Sequence, residues 1–429
     1  MSQRTGEKNI GEWPFERLMH WPPLTYRDAL PVTHSTMSCF TDYLNSESKN
    51  NFNRELQPWV PFCSSKCAFC YFAVSCRTNY VSPYISALKK ALLLYAKSKY
   101  VKSCIFNEVY VGGGSPSVLS KKHIADLLQF CRKNFNLSPV CSIKFTTCTI
   151  GLSEEKLRFL SSQEIDQIDV GVQTFNDYFR KMLKLQDNSS EVKTKLKIAK
   201  KHNLRVSIDL LYNLPGQSLE QWEKDVRQAL ELNVESVDCY PLDLYPDTLL
   251  AKQVAAGELP PPNDGSVELE MYLKAFKIFT ENGYVPSCHN RFTRIKEDLA
   301  EPSSEVVGTG SGFFMGHVGN FLYSDVENIK EYISVVSNGI FPLSKIKILT
   351  REDEMKNAMM LLYVRVPVER RKFKEKFGVY PEEAFPDAIK TLQEKQLIEI
   401  REDKIKLTET GDPWRFNIAW EFFKDENRS

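Results

Sequence analysis

Three of the chain's 11 cysteines lie in one short stretch, Pro61-Phe62-Cys63-Ser64-Ser65-Lys66-Cys67-Ala68-Phe69-Cys70-Tyr71. Three thiols in such a loop can converge on a single iron–sulfur cluster. A cube of four irons held by three thiolates has one iron open for another ligand, and an open metal position is where chemistry can occur. The spacing therefore predicts a [4Fe-4S] cluster ligated by Cys63, Cys67 and Cys70.

Two other interpretations of these cysteines remain open at this point. A structural zinc site is the first, but it needs four ligands, usually in paired Cys-x-x-Cys spacings, and Cys76 is the nearby candidate for a fourth. Ordinary packing is the second, because free cysteine is among the most buried residue types. The same packing role is predicted for the cysteines in apolar or strand-like contexts, which are Cys104, Cys131, Cys141, Cys148 and Cys239.

A glycine motif, Gly112-Gly113-Gly114-Ser115-Pro116, follows a strand-like run at residues 108–111. Consecutive glycines let the backbone approach a ligand closely and expose its N–H and C=O groups. Such a turn is a weak signal alone, because glycine turns after strands are common. When the turn follows a three-cysteine loop in the sequence, it indicates a ligand-binding cradle next to the cluster.

Strand-like runs alternate with helical patterns from about residue 56 to 290. Further strands are predicted at residues 168–172, 205–211 and 236–240, and an amphipathic helix at residues 190–202. This alternation is typical of βαβ units in a parallel sheet, and right-handed crossovers would wind the units into a barrel or an open curved barrel. The predicted fold class is α/β, with a partial TIM-like barrel.

The pattern changes beyond residue 345, where helical segments are followed by two short strands around Arg401-Glu402-Asp403. Helices followed by a charged hairpin predict a small helical, winged-helix-like domain. The chain is therefore predicted to have four parts: an N-terminal extension (1–55), the barrel (56–290), a linker and substrate-side segment (291–345) and the C-terminal domain (346–429).

The composition excludes several classes of protein. The 429 residues are 42% hydrophobic and 26% charged, as in soluble globular proteins. With 56 Lys+Arg against 55 Asp+Glu, the net charge of +1 gives no argument for nucleic-acid binding. No apolar run approaches the roughly 20 residues of a membrane span, and the polar N-terminus is unlike a secretory signal. We expect a cytoplasmic enzyme with no nucleic-acid partner and no membrane span.

The sequence resembles the radical S-adenosylmethionine (SAM) superfamily, and within it the HemN-like branch, named for oxygen-independent coproporphyrinogen III oxidase. The resemblance covers about residues 56–330 and continues more faintly to the C-terminus. It rests on five motifs in the family's order. Besides the cysteine loop and the glycine motif, they are Val170-Gly171-Val172-Gln173-Thr174-Phe175-Asn176, Ser207-Ile208-Asp209-Leu210-Leu211-Tyr212-Asn213-Leu214-Pro215-Gly216-Gln217 and Val307-Gly308-Thr309-Gly310-Ser311-Gly312.

The resemblance implies a partial (β/α)6 barrel, a cluster whose open iron chelates SAM, and an electron donor such as flavodoxin or ferredoxin. Reductive cleavage of SAM would give a 5′-deoxyadenosyl radical, so that the cofactors supply the difficult chemistry. The glycine motif would hold the methionine amino end of SAM, and Asp209 its ribose. The cofactor-binding residues assigned in this way are Phe69, Tyr71, Gly112, Gly113, Gly114, Ser115, Gln173, Asp209 and Asn213.

The chain also departs from the family pattern. Gln57 and Trp59 stand where the family has a Tyr and a His ahead of the cysteine loop. Phe72 replaces a further cysteine of the oxidase, Thr146 replaces an acidic residue, and Leu185 replaces an Arg. Several polar SAM contacts of the family are therefore replaced here.

The HemN-like relatives suggest several functions. They include C-methylating enzymes that use a second SAM molecule, and haem-handling chaperones. Trp13-Pro14-Phe15 and Trp21-Pro22-Pro23 resemble the start of the anaerobic haem-degrading methyltransferases. This favours C-methylation or another modification of a tetrapyrrole or similar unsaturated substrate. The alternatives are a haem-binding chaperone and an oxidative decarboxylase of coproporphyrinogen III.

Three residues are candidates for catalysis on the substrate side. Tyr240 and Asp243 lie at the end of a predicted barrel strand, where βα loops build active sites. His289, in Cys288-His289-Asn290-Arg291, is the third.

Overall fold

The computed structural model describes residues 13–23, 28–48, 52–296, 304–312 and 314–424. The chain divides into two compact units. We call residues 25–263 and 270–350 the sheet unit, and residues 1–24, 264–269 and 351–429 the C-terminal unit. The predicted N-terminal extension is thus shared between both units, and its first 12 residues lie outside the described part of the chain.

One mixed sheet organises the sheet unit, and 13 strands of it are described. They are β1 (Leu30–Pro31), β2 (Arg54–Val60), β3 (Phe106–Gly113), β4 (Leu137–Cys148), β5 (Gln167–Gln173), β6 (Arg205–Tyr212), β7 (Ser236–Pro241), β8 (Val285–Pro286), β9 (Arg291–Thr293), β10 (Glu305–Thr309), β11 (Met315–Val318), β12 (Phe321–Asp325) and β13 (Leu343–Ile348).

Helices connect the strands of this sheet. Those that begin before residue 350 are α1 (His34–Leu44), α2 (Val81–Lys97), α3 (Lys99–Ser103), α4 (Lys121–Asn134), α5 (Glu154–Ser162), α6 (Asp177–Met182), α7 (Ser189–Lys201), α8 (Leu219–Glu231), α9 (Leu249–Ala255), α10 (Gly265–Glu281) and α11 (Ile329–Ser337). None of the described helices combines the length and the apolar character that crossing a membrane requires.

The strand order is β1-β13-β12-β11-β10-β2-β3-β4-β5-β6-β7-β9-β8. Strands β2 to β7 are consecutive neighbours, run parallel and are joined by helices. These six units confirm the predicted α/β fold and partial (β/α)6 barrel. Because all six strands point the same way, their carboxyl ends meet at one edge, where the connecting loops lie side by side.

Helix α7 shows how local sequence sets these elements. Val192, Leu196 and Ala199 form its buried face at helical spacing, as predicted. The predicted cap was Ser189 or Ser190, but Asn188 caps the helix in a capping box with Glu191. The helix therefore begins at Ser189, one residue before the predicted start.

The predicted linker at residues 291–345 contributes strands β9 to β13 to the same sheet. Strand β10 pairs in parallel with β2. A buried ion pair fastens the two strands, because Arg54 Nε lies 2.6 Å from Glu305 Oε2 and Tyr100 donates to the other carboxylate oxygen at 2.6 Å. These strands are short, and the strand that joins them to the barrel strands, β10, pairs with β2 from near the start of the sheet unit, so local patterns did not reveal them.

The C-terminal unit contains the helical domain predicted for the end of the chain. Its small sheet has the order β14-β16-β15. Its strands are β14 (Val368–Glu369), β15 (Ile398–Arg401) and β16 (Lys404–Leu407), and its helices are α12 (Arg351–Met359), α13 (Arg370–Phe377), α14 (Pro381–Ala384), α15 (Pro386–Glu394) and α16 (Arg415–Glu421).

The N-terminal Trp13-Pro14-Phe15 segment packs within this unit. The Trp13 ring meets Trp414 edge-on with centroids 5.2 Å apart, and Phe15 lies 5.8 Å from the same ring. A Cβ on Gly265 would strike the Trp13 ring, which shows how closely that glycine approaches the indole. The segment that suggested a methyltransferase thus has a structural role.

We expect Trp13→Ala to lower the free energy of unfolding of the C-terminal unit by about 2 kcal/mol, because a half-buried indole is removed from an apolar cluster. Chemical denaturation of the full chain measures this change. Trp21→Ala is the matched control, since the Trp21 side chain is 36% exposed and lies outside this apolar cluster. Equal stability of both variants would contradict the packing role.

Candidate functional site

The cysteine loop leaves the carboxyl end of β2 and is held by backbone hydrogen bonds. Cys63 N donates to Ser75 O at 3.1 Å, and Ser75 N donates to Pro61 O at 2.8 Å. The middle of the loop is fixed by Ala68 N, which donates to Leu183 O at 2.9 Å. The loop has no regular secondary structure but has a defined path.

Apolar packing adds to this anchoring. Ala68 is buried in a cluster with Leu183, Leu211 and Leu242, and Phe69 packs against the same cluster. This position gives Phe69 a role in shaping the loop. Its contact with a cofactor remains a prediction.

Burial controls the chemistry of the three thiols. Cys63, Cys67 and Cys70 are half-buried and unpaired in disulfides. Burial raises the pKa of all three thiols, that of Cys67 to about 12, and neighbouring thiols raise the pKa further. Thiolates at such positions need a cationic partner, which a bound iron cluster supplies.

A single metal ion and an iron–sulfur cluster require different spacings of the thiols. Among the described residues, no three His, Cys, Asp or Glu side chains are close enough together to hold one metal ion. Around zinc, thiolates about 2.3 Å from the ion bring their sulfurs to within roughly 4 Å of each other. In a four-iron cube each thiolate binds a different iron, so the sulfurs are spread more widely.

The glycine motif runs directly beside the cysteine loop. Gly114 N donates to Val60 O at 2.8 Å, and Ser115 N donates to Phe62 O at 2.7 Å. A Cβ on Gly113, whose φ is +121°, would lie 2.5 Å from Val60 O, and a Cβ on Gly114 would lie 2.9 Å from Cys63 Sγ. Only glycine permits this approach, which joins the two loops into one cradle.

Gln173 ends strand β5 with a left-handed φ of +68°. Arg180, a buried residue that the sequence analysis missed, supports this turn by donating to Val172 O at 2.9 Å and Thr174 O at 2.8 Å. The two carbonyls flank Gln173, so Arg180 holds the turn that carries this predicted SAM contact. An arginine on a short helix gives no sequence signal for such a role.

Asp209 faces the barrel interior among other charged groups. It lies opposite Asp238 in the pairing of β6 with β7, and Arg291 Nη2 lies 2.8 Å from Asp238 Oδ2. Burial, reinforced by the charges of Asp238 and Asp169, raises the pKa of Asp209 well above its usual value. The carboxyl oxygens of Asp209 can accept hydrogen bonds from hydroxyl groups, which is the contact predicted with a ribose.

A second cluster of charged side chains lies nearer the amino ends of the strands. Lys144 Nζ is 2.9 Å from Glu108 Oε2, and Glu55 is paired with Glu108 across β2 and β3. Burial, followed by the charge of Glu108, raises the pKa of Glu55 to about 8. Folded Glu55 therefore holds a proton near neutral pH.

The free energy of unfolding is expected to fall as the pH rises from about 4 to 8, because the unfolded chain releases a proton that folded Glu55 retains. Glu55→Gln removes this titration, so we expect the fall to shrink by about 1–3 kcal/mol. Urea denaturation at several pH values measures it, with Glu231→Gln on an exposed helix position as the control. An unchanged pH profile would show that Glu55 is ionised in the fold.

Trp59 and the glycine-rich segment at residues 307–312 also line the edge of the sheet where the carboxyl ends of the parallel strands meet. The Trp59 ring would lie 3.4 Å from a Cβ on Gly112, and a Cβ on Gly310 would lie 2.5 Å from Trp59 Cβ. Phe72 and Phe314 contact the same ring at centroid distances of 6.2 and 6.3 Å. Two of these rings, Trp59 and Phe72, stand at positions where the sequence departs from the family pattern.

Other predicted residues lie around the same edge. Tyr71 stacks on Tyr245 with ring centroids 4.1 Å apart. Burial raises the pKa of both phenols, and the charge of the nearby Asp243 raises it further. Tyr240 faces the interior, near Asp238 and Asp209. His289 is exposed in the turn between β8 and β9. The catalytic roles of Tyr240, Asp243 and His289 remain predictions.

Asn213 has a structural role. It is buried in a left-handed conformation at φ +59°, and its Oδ1 accepts from the backbone and side-chain nitrogens of Asn263 at 2.9 and 3.1 Å. These bonds occupy the side-chain oxygen. A contact between Asn213 and SAM remains a prediction.

This fold and site define a class of protein. The model of the Radical SAM superfamily matches residues 58–229, and that of the HemN C-terminal domain matches residues 349–414. The chain belongs to the radical SAM superfamily, in its HemN-like branch. The cofactors of this family are a [4Fe-4S] cluster and SAM, and the cysteine loop and glycine cradle fit them.

Particular relatives carry more specific names. The heme chaperone HemW of Bacillus subtilis is 27% identical over 363 residues, which are 82% of this chain and 94% of the relative. Anaerobilin synthase of Escherichia coli O157:H7 is 24% identical over 341 residues, 78% of this chain and 76% of the relative. The solved structure of coproporphyrinogen III oxidase (HemN) from Escherichia coli shares the fold, with a TM-score of 0.81, 18% identity and coverage of 94% and 96% of the two chains.

Proposed function

We propose that this protein is a tetrapyrrole-directed radical SAM enzyme that cleaves SAM reductively at a cluster held by Cys63, Cys67 and Cys70. One observation carries the proposal. The cysteine loop and the glycine motif are joined by backbone hydrogen bonds at the carboxyl ends of neighbouring parallel strands, with Gly114 against Cys63. In barrels of this kind, that edge builds the active site.

Different residues of the chain would bind SAM and exclude water. When bound, the reduced cluster supplies the electron that splits SAM into methionine and a 5′-deoxyadenosyl radical. The glycine motif offers backbone groups to the methionine end, while Gln173 and Asp209 bind other parts of SAM. Trp59, Phe72 and Phe314 form an apolar wall that limits the access of water.

The names of the relatives support a tetrapyrrole as the ligand. One relative is named as a heme chaperone, so haem is the first compound to test. C-methylation, which would use a second SAM, receives less support, because the Trp13-Pro14-Phe15 segment that suggested it packs on Trp414. A haem-binding chaperone that retains cluster and SAM is the second candidate, favoured by the same relative.

The test measures two products of SAM after anaerobic reconstitution with iron and sulfide. SAM, a strong reductant and haem are added, and 5′-deoxyadenosine and S-adenosylhomocysteine are quantified together. Deoxyadenosine that rises with haem supports radical chemistry on a tetrapyrrole, and S-adenosylhomocysteine in addition supports methyl transfer. Bound haem without either product, in protein verified to hold cluster and SAM, would contradict the enzyme and support the chaperone.

The proposal also includes the cellular compartment and the electron donor of the reaction. All 11 cysteines are free of disulfides, as expected in a reducing compartment such as the cytoplasm. A low-potential carrier such as flavodoxin or ferredoxin would supply the electron. Replacing the chemical reductant by either reduced carrier in the same assay tests that partner.

A further inference from the structure

Cys148 lies at the proposed cluster site, although the sequence analysis assigned it to packing. It is the last residue of β4, which runs parallel to β3, the strand that ends in the glycine motif. The carboxyl ends of the two strands therefore bring Cys148 and the glycine motif to one edge of the sheet. The thiol is half-buried and forms no disulfide.

Consecutive residues of the glycine motif contact Cys148 and Cys63. The Ser115 hydroxyl donates to Cys148 Sγ at 3.1 Å and accepts from Cys148 N at 2.9 Å. Ser115 is only 3% exposed, so this contact is built into the fold. Its neighbour Gly114 approaches Cys63 Sγ so closely that a Cβ would lie 2.9 Å from the sulfur.

Electrostatic repulsion matters where thiolates lie close together. Because Gly114 and Ser115 are neighbours in the chain, the thiols of Cys63 and Cys148, which they contact, lie close together. Thiolates this near repel one another unless a cation lies between them. An iron cluster at Cys63, Cys67 and Cys70 would be such a cation.

We propose that Cys148 is a fourth thiolate ligand of the cluster when SAM is absent, on the iron that SAM otherwise occupies. The inference rests on the proposed function, because it requires the cluster. Cys76 is the rival thiol, because its neighbour Ser75 accepts a hydrogen bond from Cys63 N, but Cys76 is exposed. Cys148 is held by Ser115, within the segment proposed to bind SAM, and so would exchange with SAM.

The first test compares how fast the wild type and its variants lose the iron that SAM would occupy. Wild type, Cys148→Ser, Cys148→Ala and Cys76→Ala are reconstituted, and about four irons and four sulfides per chain are verified. Each is treated with ferricyanide without SAM, and conversion to a [3Fe-4S] cluster is followed by electron paramagnetic resonance. If Cys148 covers the iron nine-tenths of the time, the Cys148 variants convert about tenfold faster and bind SAM about tenfold more tightly than wild type and Cys76→Ala.

Several outcomes would overturn the inference. Equal conversion of wild type and the Cys148 variants would show that the iron is open, and faster conversion of Cys76→Ala alone would assign the ligand to Cys76. Should the Cys148 variants not fold, ⁵⁷Fe Mössbauer spectra of the wild type decide, since SAM must create a unique iron subsite that is absent before its addition. A wild type that takes up no cluster would contradict the proposed function itself.

Discussion

Cys67→Ala is expected to abolish cluster binding and with it SAM cleavage. The substitution removes the central of three thiolates in the loop, and two remaining thiolates cannot hold three irons of a cube. We expect iron content to fall from about four to below one per chain and deoxyadenosine formation to fall by more than about 100-fold, beyond what loss of an outer-shell partner causes. Iron and sulfide analysis and the SAM cleavage assay measure both.

Two features allow loss of the cluster to be distinguished from loss of folding. Cys67 is half-buried in a loop whose path is fixed by hydrogen bonds of Cys63, Ala68 and Ser75, so we expect the variant to fold. Cys39→Ala is the matched control, because Cys39 is exposed on helix α1. A folded Cys67→Ala protein with a full cluster would refute the assigned ligand set.

Gly113→Ala is expected to disrupt the SAM cradle while leaving the three thiol ligands in place. The new Cβ would lie 2.5 Å from Val60 O and 2.8 Å from Val60 N, so the backbone of β2 or of the glycine motif has to move. The φ of +121° adds strain of about 1–3 kcal/mol for any residue with a side chain. Displacing a positioned binding group by about 1 Å can cost roughly 100-fold, which is the loss of SAM affinity we expect.

Equilibrium SAM binding to the reconstituted variant measures this loss, alongside its iron content. Gly339→Ala is the control that separates backbone strain from the steric clash of the new Cβ. Gly339 also has a positive φ, of +73°, but nothing lies within 4 Å of a Cβ there. We expect this control to lose stability and keep its SAM affinity. Equal affinity of Gly113→Ala and wild type would show that SAM binds elsewhere.

The sequence by itself determined the features that depend on residues close together in the chain. Three cysteines within eight residues, a run of glycines after a strand and the helical spacing of Val192, Leu196 and Ala199 each express local geometry. The order of the motifs identified the HemN-like branch, and the alternation of strands and helices predicted the partial barrel. Each of these patterns is complete within one element or one loop.

Only the tertiary structure decided which distant residues join the site. Arg180 supports Gln173 from a short helix, and Cys148 reaches Ser115 from the next strand of the sheet. The Trp13-Pro14-Phe15 segment contacts Trp414 across most of the chain's length. The pKa of Asp209 is raised by burial and then by carboxylates from two other strands. Such contacts arise when parallel strands bring their carboxyl ends to one edge, and no local pattern in the chain records which residues will meet there.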